Sequence, residues 1–213
     1  MTPKDQSAIA RDIAALAPII PVLVIDDASH ARPLAEALVA GGLPALEVTL
    51  RTPAALDVIR EMAKVPGGVV GAGTLLTPDD VRAAKEAGAR FGVSPGATPR
   101  LIAACVAEGL PLLPGAATAS EVMALYEQGF DMLKFFPAEA AGGARALKAI
   151  GAPIPQVSFC PTGGITPQTA PDYLSLSNVI CAGGSWVAPK DMVEARDWAG
   201  IEALSRAAAA IAR

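Results

Sequence analysis

Eight short apolar runs recur at intervals of about 20 to 25 residues, each followed by a stretch rich in Ala, Leu and charged residues. They cover residues 19–25, 45–50, 69–74, 91–94, 111–115, 132–136, 157–160 and 179–182. Runs this short and this apolar suit strands buried on both faces, and the longer segments between them suit helices. Thr77-Pro78-Asp79-Asp80, Thr98-Pro99 and Thr166-Pro167 each offer a Thr for the N-cap and a Pro for the first turn. Gly41, Gly88, Gly109 and Gly129 fall where helices should stop. Eight βα units without a linker predict an α/β fold in which residues 1–213 form a single domain, a (β/α)8 TIM barrel at the short end of its size range. Residues 7–17 are expected as an extra N-terminal helix over the barrel floor and residues 201–212 as a closing helix; the helix after the eighth run is poorly marked.

Composition removes several classes of function. With 52% hydrophobic and 18% charged residues the chain has ample apolar area to order itself. Its net charge is −4 and its 17 basic residues are thinly spread, so nucleic acid is not an expected partner. Residues 19–25 are interrupted by Pro21 and end at Asp26 and Asp27, and no run approaches the roughly 20 residues of a membrane span. Residues 1–11 are too polar for a signal peptide, and a cytoplasmic protein is expected. Cys105, Cys160 and Cys181 are an odd number, far apart, and read as buried thiols rather than a disulfide framework or zinc site. The single histidine, His30, argues against a His-rich metal site and a Ser-His-Asp triad and is expected at the surface. No metal and no cofactor are expected.

In a barrel of this kind the active site lies at the C-terminal ends of the strands. The sixth run, Asp131-Met132-Leu133-Lys134-Phe135-Phe136-Pro137, puts a lysine inside an apolar strand. Period-two alternation groups Met132, Lys134 and Phe136 on one face; with Leu133 and Phe135 toward the helices, Lys134 points inward. An ammonium withdrawn from water gives up its proton more readily, and a neutral amine can condense with a ketone to an iminium ion that draws electrons from a neighbouring C–C bond. A structural lysine paired with a carboxylate is the other reading. The second run places Ala45, Glu47, Thr49 and Arg51 on one face and Leu46, Val48 and Leu50 on the other. Glu47 then offsets Lys134 or moves protons, and Arg51 suits a substrate carboxylate.

Gly71-Ala72-Gly73-Thr74 and Ser94-Pro95-Gly96 close the third and fourth strands with short side chains that let a ligand approach the backbone. Thr162-Gly163-Gly164-Ile165 and Gly183-Gly184-Ser185 follow the seventh and eighth strands, where such barrels commonly hold phosphate on backbone N–H groups. Thr162 and Ser185 add hydroxyl donors.

Together with Leu46-Glu47-Val48-Thr49-Leu50-Arg51-Thr52, Lys134-Phe135-Phe136-Pro137-Ala138-Glu139, Phe159-Cys160-Pro161-Thr162-Gly163-Gly164-Ile165 and Gly183-Gly184-Ser185-Trp186, these stretches run in order through nearly the whole chain. They resemble the KDPG/KHG aldolases, class I enzymes that split 2-dehydro-3-deoxy-6-phosphogluconate. The resemblance implies a metal-independent carbon–carbon lyase of carbohydrate metabolism, in the Entner–Doudoroff pathway, releasing pyruvate and glyceraldehyde 3-phosphate from a homotrimer of TIM-barrel subunits. It implies Lys134 as the Schiff-base lysine and Glu47 as the acid/base. Arg51 and Thr74 would surround the keto-acid carboxylate, and Pro95 and Phe136 would line the pocket. Thr162, Gly163, Gly164, Gly184 and Ser185 would hold the phosphate. Ala141, before Gly142-Gly143, stands where the family pattern leads one to expect Asn. Within the family, 4-hydroxy-2-oxoglutarate and the phosphogalactonate epimer are rival substrates. Outside it stands a barrel that binds a phosphorylated metabolite without turning it over.

Overall fold

Thr-Pro pairs start three of the helices in the computed structural model, which describes residues 1–212. Along the chain the elements are α1 (Pro3–Ala14), β1 (Ile19–Leu23), α2 (Ala31–Ala40), β2 (Ala45–Thr49), α3 (Ala55–Met62), β3 (Val69–Gly73), α4 (Pro78–Glu86), β4 (Phe91–Val93), α5 (Pro99–Glu108), β5 (Leu112–Leu113), β6 (Gly115–Ala116), α6 (Ala119–Glu127), β7 (Met132–Phe135), α7 (Gly143–Gly151), β8 (Ser158–Pro161), α8 (Ala170–Leu174), β9 (Ala182–Gly184), α9 (Lys190–Glu194) and α10 (Trp198–Ala209). In α1, α4 and α6 a capping Thr and an acidic side chain three residues on satisfy each other's backbone N–H groups. Gly109 ends α5 in the left-handed conformation at φ 61°, which costs a glycine little.

Every strand pair is parallel, in one six-stranded sheet ordered β5-β4-β3-β2-β1-β9 and one three-stranded sheet ordered β6-β7-β8. The fifth apolar run supplies both β5 and β6, because Pro114 between them has no N–H for a ladder. On the other flank, bridges Phe159↔Val179 and Thr162↔Gly183 reach from β8 to the chain around β9. Leu46, Val48, Leu133 and Phe135 pack against the helices in one core, while Ile20, Ala45, Phe91, Val93, Leu113, Met132, Cys160 and Cys181 gather in a second. That second core draws on both sheets, so the sheets curl toward each other around it.

Ala10 and Ala14 of α1 belong to the second core, and α1 bonds to the first residues of β5 and β7 through Gln6 and Ser7. Ser7 Oγ donates to Asp131 Oδ1 at 2.7 Å and accepts from the backbone N–H groups of Asp131 and Met132 at 2.9 and 2.8 Å. Arg11 donates to Ser158 Oγ at 2.7 Å and to the Asp131 carbonyl at 2.8 Å.

Four local expectations need correction. The N-terminal helix begins at Pro3, not residue 7, because Thr2 and Asp5 form a cap that the apolar pattern does not reveal. The ninth strand is Ala182–Gly184 rather than residues 179–182: pairing with β1 falls on the glycines, and Val179 makes only an isolated bridge. Thr166-Pro167 opens a turn in which Thr166 and Thr169 exchange hydrogen bonds, and α8 begins at Ala170. His30 is half-buried, its ring 6.0 Å from that of Trp198.

Candidate active site

At the C-terminal ends of the strands lies a cavity of about 730 Å³, large enough for a sugar-acid-sized ligand. Alternation on β7 aims Lys134 into it. The side chain is 7% exposed, and Nζ lies 3.2 Å from Glu47 Oε1, whose own side chain is 4% exposed. The Phe136 ring centroid is 5.2 Å from the same Nζ. An ammonium has three donor positions, and Glu47 is its one hydrogen-bond acceptor among the described residues. A ligand carbonyl entering the cavity meets an amine with capacity to spare and a carboxylate within reach of a proton.

Glu47 fits only because its neighbour has no side chain. On β3 a Cβ at Gly73 would run into the Glu47 carboxylate, and one at Gly71 into the Phe91 ring. The same holds across the cavity, where a Cβ at Gly183 would strike Thr162 Oγ1 and one at Gly184 the Trp186 ring. These glycines make room for side chains; the expectation that Gly71 and Gly73 admit a ligand to the backbone is thereby corrected.

One wall carries Arg51, exposed just past β2, with no carboxylate in ion-pair range among the described residues. Beside it Thr74 adopts φ 61°, a left-handed conformation that a β-branched residue holds at a cost of order 1–3 kcal/mol. Pro95 lines the same side. Thr49 also faces the cavity, but its hydroxyl donates to the Leu23 carbonyl at 2.9 Å and is already used.

The opposite wall is Thr162, Gly163, Gly164, Gly184 and Ser185. Gly163 and Gly164 have φ 106° and 78°, and the N–H groups of Gly164 and Ser185 donate to no acceptor among the described residues. Thr162 is 5% exposed, its hydroxyl 3.9 Å from Cys160 Sγ. The eleven residues to which the family resemblance gives roles therefore all line one cavity. Val22, Val24, Ile165 and Trp186 line it too and were not foreseen. Alternation from the buried Ile20 through Val22 to Val24 would have revealed the first two.

A buried primary amine beside a carboxylate, at the strand ends of a parallel α/β fold and facing a wall of backbone donors, defines a class: α/β proteins equipped to condense an amine with a carbonyl compound that carries an anionic tail. Comparison narrows this. Residues 10–204 match the family model for KDPG and KHG aldolases. The chain is 50% identical over 208 residues to the 2-dehydro-3-deoxy-phosphogluconate aldolase of Pseudoalteromonas atlantica, covering 97% of each. It superimposes with a TM-score of 0.91 on the 2-keto-3-deoxy-6-phosphogluconate aldolase of Zymomonas mobilis with 3-phosphoglycerate, at 52% identity and 95% coverage of both chains. The TM-score is also 0.91 for the KDPG aldolase of Legionella pneumophila with pyruvate captured as a covalent carbinolamine, at 45% identity, covering 94% of this chain and 98% of that one. The chain belongs to the KDPG/KHG aldolase family.

Proposed function

We infer that this protein is a class I aldolase, a carbon–carbon lyase that cleaves 2-dehydro-3-deoxy-6-phosphogluconate to pyruvate and glyceraldehyde 3-phosphate. The observation that carries the reading is the 3.2 Å approach of Lys134 Nζ to Glu47 Oε1 inside a ligand-sized cavity. Glu47 takes a proton from the Lys134 ammonium, and the neutral amine attacks the C2 ketone to give a carbinolamine. Glu47 gives that proton to the carbinolamine hydroxyl, which leaves as water, so an iminium ion remains and Glu47 is again a carboxylate. Glu47 removes the C4 hydroxyl proton, the C3–C4 bond breaks, and its electron pair moves into the iminium to form an enamine. Glyceraldehyde 3-phosphate departs as the aldehyde; Glu47 returns a proton to C3, and water releases pyruvate and the free amine. The carbinolamine captured in the Legionella relative supports this route.

Arg51 and Thr74 are assigned to the keto-acid carboxylate, and Pro95 and Phe136 to the pocket walls. Thr162, Gly163, Gly164, Gly184 and Ser185 are assigned to the phosphate, with open N–H groups supporting the choice. That wall favours a phosphorylated substrate over 4-hydroxy-2-oxoglutarate, which has no phosphate for it to hold. We also propose that the two sheets close through the bridges beside β9 into a single-domain (β/α)8 barrel, with α1 as the extra helix over its floor. The family resemblance further supports a cytoplasmic homotrimer. No helix among the described residues is long and apolar enough to cross a membrane.

The test is to mix the protein with pyruvate and borohydride, which reduces an iminium to a stable amine, and to map the adduct by mass spectrometry. One pyruvyl group on the peptide holding Lys134 is expected, and none in Lys134→Ala. An adduct elsewhere, or none in the unaltered protein, would leave Lys134 a structural residue.

A further inference from the structure

One contact beside the cavity has no part in the reaction just described. Glu139 is exposed, yet its Oε1 accepts a 2.5 Å hydrogen bond from the phenol of Tyr173, a residue only 1% exposed. Glu139 lies just beyond Phe136 on the chain leaving the lysine strand. Tyr173 lies on α8, the helix into which the Gly163-Gly164 loop leads.

Glu139 is laced to that loop. Ala138 N donates to the Thr162 carbonyl at 2.8 Å and Glu139 N to that of Gly163 at 3.1 Å. A Cβ on Gly164 would fall 2.9 Å from both Cβ and Cγ of Glu139, so the Glu139 side chain lies directly against Gly164. The two glycines have no side chains of their own with which to pack, and glycine loses more conformational freedom on ordering than any other residue. The Glu139 side chain backs Gly164 and the Glu139 N–H holds the Gly163 carbonyl, and Tyr173 holds Glu139 from the far end of the loop. Burial and the neighbouring Glu139 carboxylate push the phenol well above its ordinary range, so it remains a donor throughout neutral conditions.

We propose that Tyr173, acting through Glu139, is a positioning residue for the Gly163-Gly164 loop and sets the preference for phosphorylated over unphosphorylated substrates. The proposal rests on the reading of that loop as the phosphate wall. A loop that the ligand must first order binds it more weakly, whereas a substrate without phosphate does not draw on the loop. Chemistry at Lys134 is left alone, because neither Tyr173 nor Glu139 hydrogen-bonds to the Lys134–Glu47 pair.

The experiment compares the unaltered chain with Tyr173→Phe, Glu139→Ala and Glu139→Gln. It measures kcat and KM on 2-dehydro-3-deoxy-6-phosphogluconate and on 4-hydroxy-2-oxoglutarate, with borohydride trapping of pyruvate in parallel. Tyr173→Phe should raise KM for the phosphorylated substrate about tenfold, the size of one hydrogen bond to a charged group. Its kcat, its kcat/KM on hydroxyoxoglutarate and its pyruvate adduct should stay within about twofold. Glu139→Ala, which removes the same hydrogen bond from its other side, should reproduce the split. Glu139→Gln keeps both an acceptor for the phenol and the methylenes over Gly164, and should preserve the native KM. Equal losses on both substrates, or no change on either, would make Tyr173 a purely structural residue and overturn the proposal. If instead Thr162→Ala and Ser185→Ala leave KM for the phosphorylated substrate unchanged, the phosphate wall itself is misassigned and the proposal falls with it.

Discussion

At the N-terminal ends of the strands Ser7 uses its hydroxyl three times, donating to Asp131 and accepting from the N–H groups of Asp131 and Met132. At the C-terminal ends of the same strands Lys134 has one protein acceptor for three donor positions, and Arg51 has no carboxylate in ion-pair range among the described residues. Ser7 and Arg11 at the floor spend their polar groups on the protein, whereas Lys134 and Arg51 at the mouth leave theirs open. The difference matches a division of labour in which one end of the strands carries stability and the other chemistry. It also separates what substitutions should do: changes at the mouth should damage turnover out of proportion to stability, and changes at the floor the reverse.

The widest separation is expected for the double change Lys134→Met with Glu47→Leu. A buried ion pair costs much of its attraction in lost hydration, so apolar groups of similar volume often replace it without loss of stability. Aldol cleavage should fall by on the order of 10⁴-fold or more, while Tm stays level or rises. Turnover within about tenfold of native would show that the pair is not the reacting centre. A Tm lowered as far as in a floor variant would erase the contrast between the two ends.

Gly73→Ala probes the mouth without replacing a charged group. The added methyl overlaps the Glu47 carboxylate, which must shift, and displacements of about 1 Å cost roughly 10²-fold in rate. Overpacking should cost about 1–3 kcal/mol of stability, read from urea unfolding. A variant with native kcat would mean that the position of Glu47 is not critical.

Much of this contrast is legible in the residues themselves, because it follows from period-two alternation. Lys134 between apolar neighbours, and Glu47 between Leu46 and Val48, declare their faces without any knowledge of what lies opposite. Alternation cannot say which residue fills the space beside a glycine. Gly71 and Gly73 look like openings for a ligand until Phe91 and Glu47 are seen to occupy them. The Tyr173–Glu139 bond spans 34 residues and joins a short helix to a loop, neither with a periodic signature. The Ser7–Asp131 bond spans 124 residues and is equally silent locally. Apolarity places the last strand on Val179 and Ile180, whereas the ladder with β1 runs through Ala182, Gly183 and Gly184.

Ser7→Ala tests the floor directly. It strands two backbone N–H groups at the start of the lysine strand, and leaving buried donors unpaired costs about 1–3 kcal/mol. The unfolding midpoint in urea should fall accordingly. KM and kcat should remain within about twofold of native, since the hydroxyl lies at the opposite end of β7 from the amine. A large fall in kcat with native stability would mean that the floor tunes the active site.

The smallest effect expected is in acid. Burial alone would raise the Asp131 carboxyl, but hydrogen bonds from Ser7 and Arg11 and the Arg11 charge outweigh it and hold it below its ordinary value of 3.8. A carboxyl depressed on folding favours the folded state when ionised. Its contribution is therefore complete above the unfolded value and lost as pH falls through the lower, folded one. Asp131→Asn removes that contribution at neutral pH and has nothing left to lose in acid. The stability gap between native and variant proteins should thus narrow as pH drops below about 4, and close once the native carboxyl is protonated. Because the Asp131 side chain is 41% exposed, water and salt screen the pair, so the gap should also shrink in high salt. Parallel stability curves across this range would show that the Arg11–Asp131 pair adds nothing to the floor, leaving its strength to the neutral hydrogen bonds of Ser7.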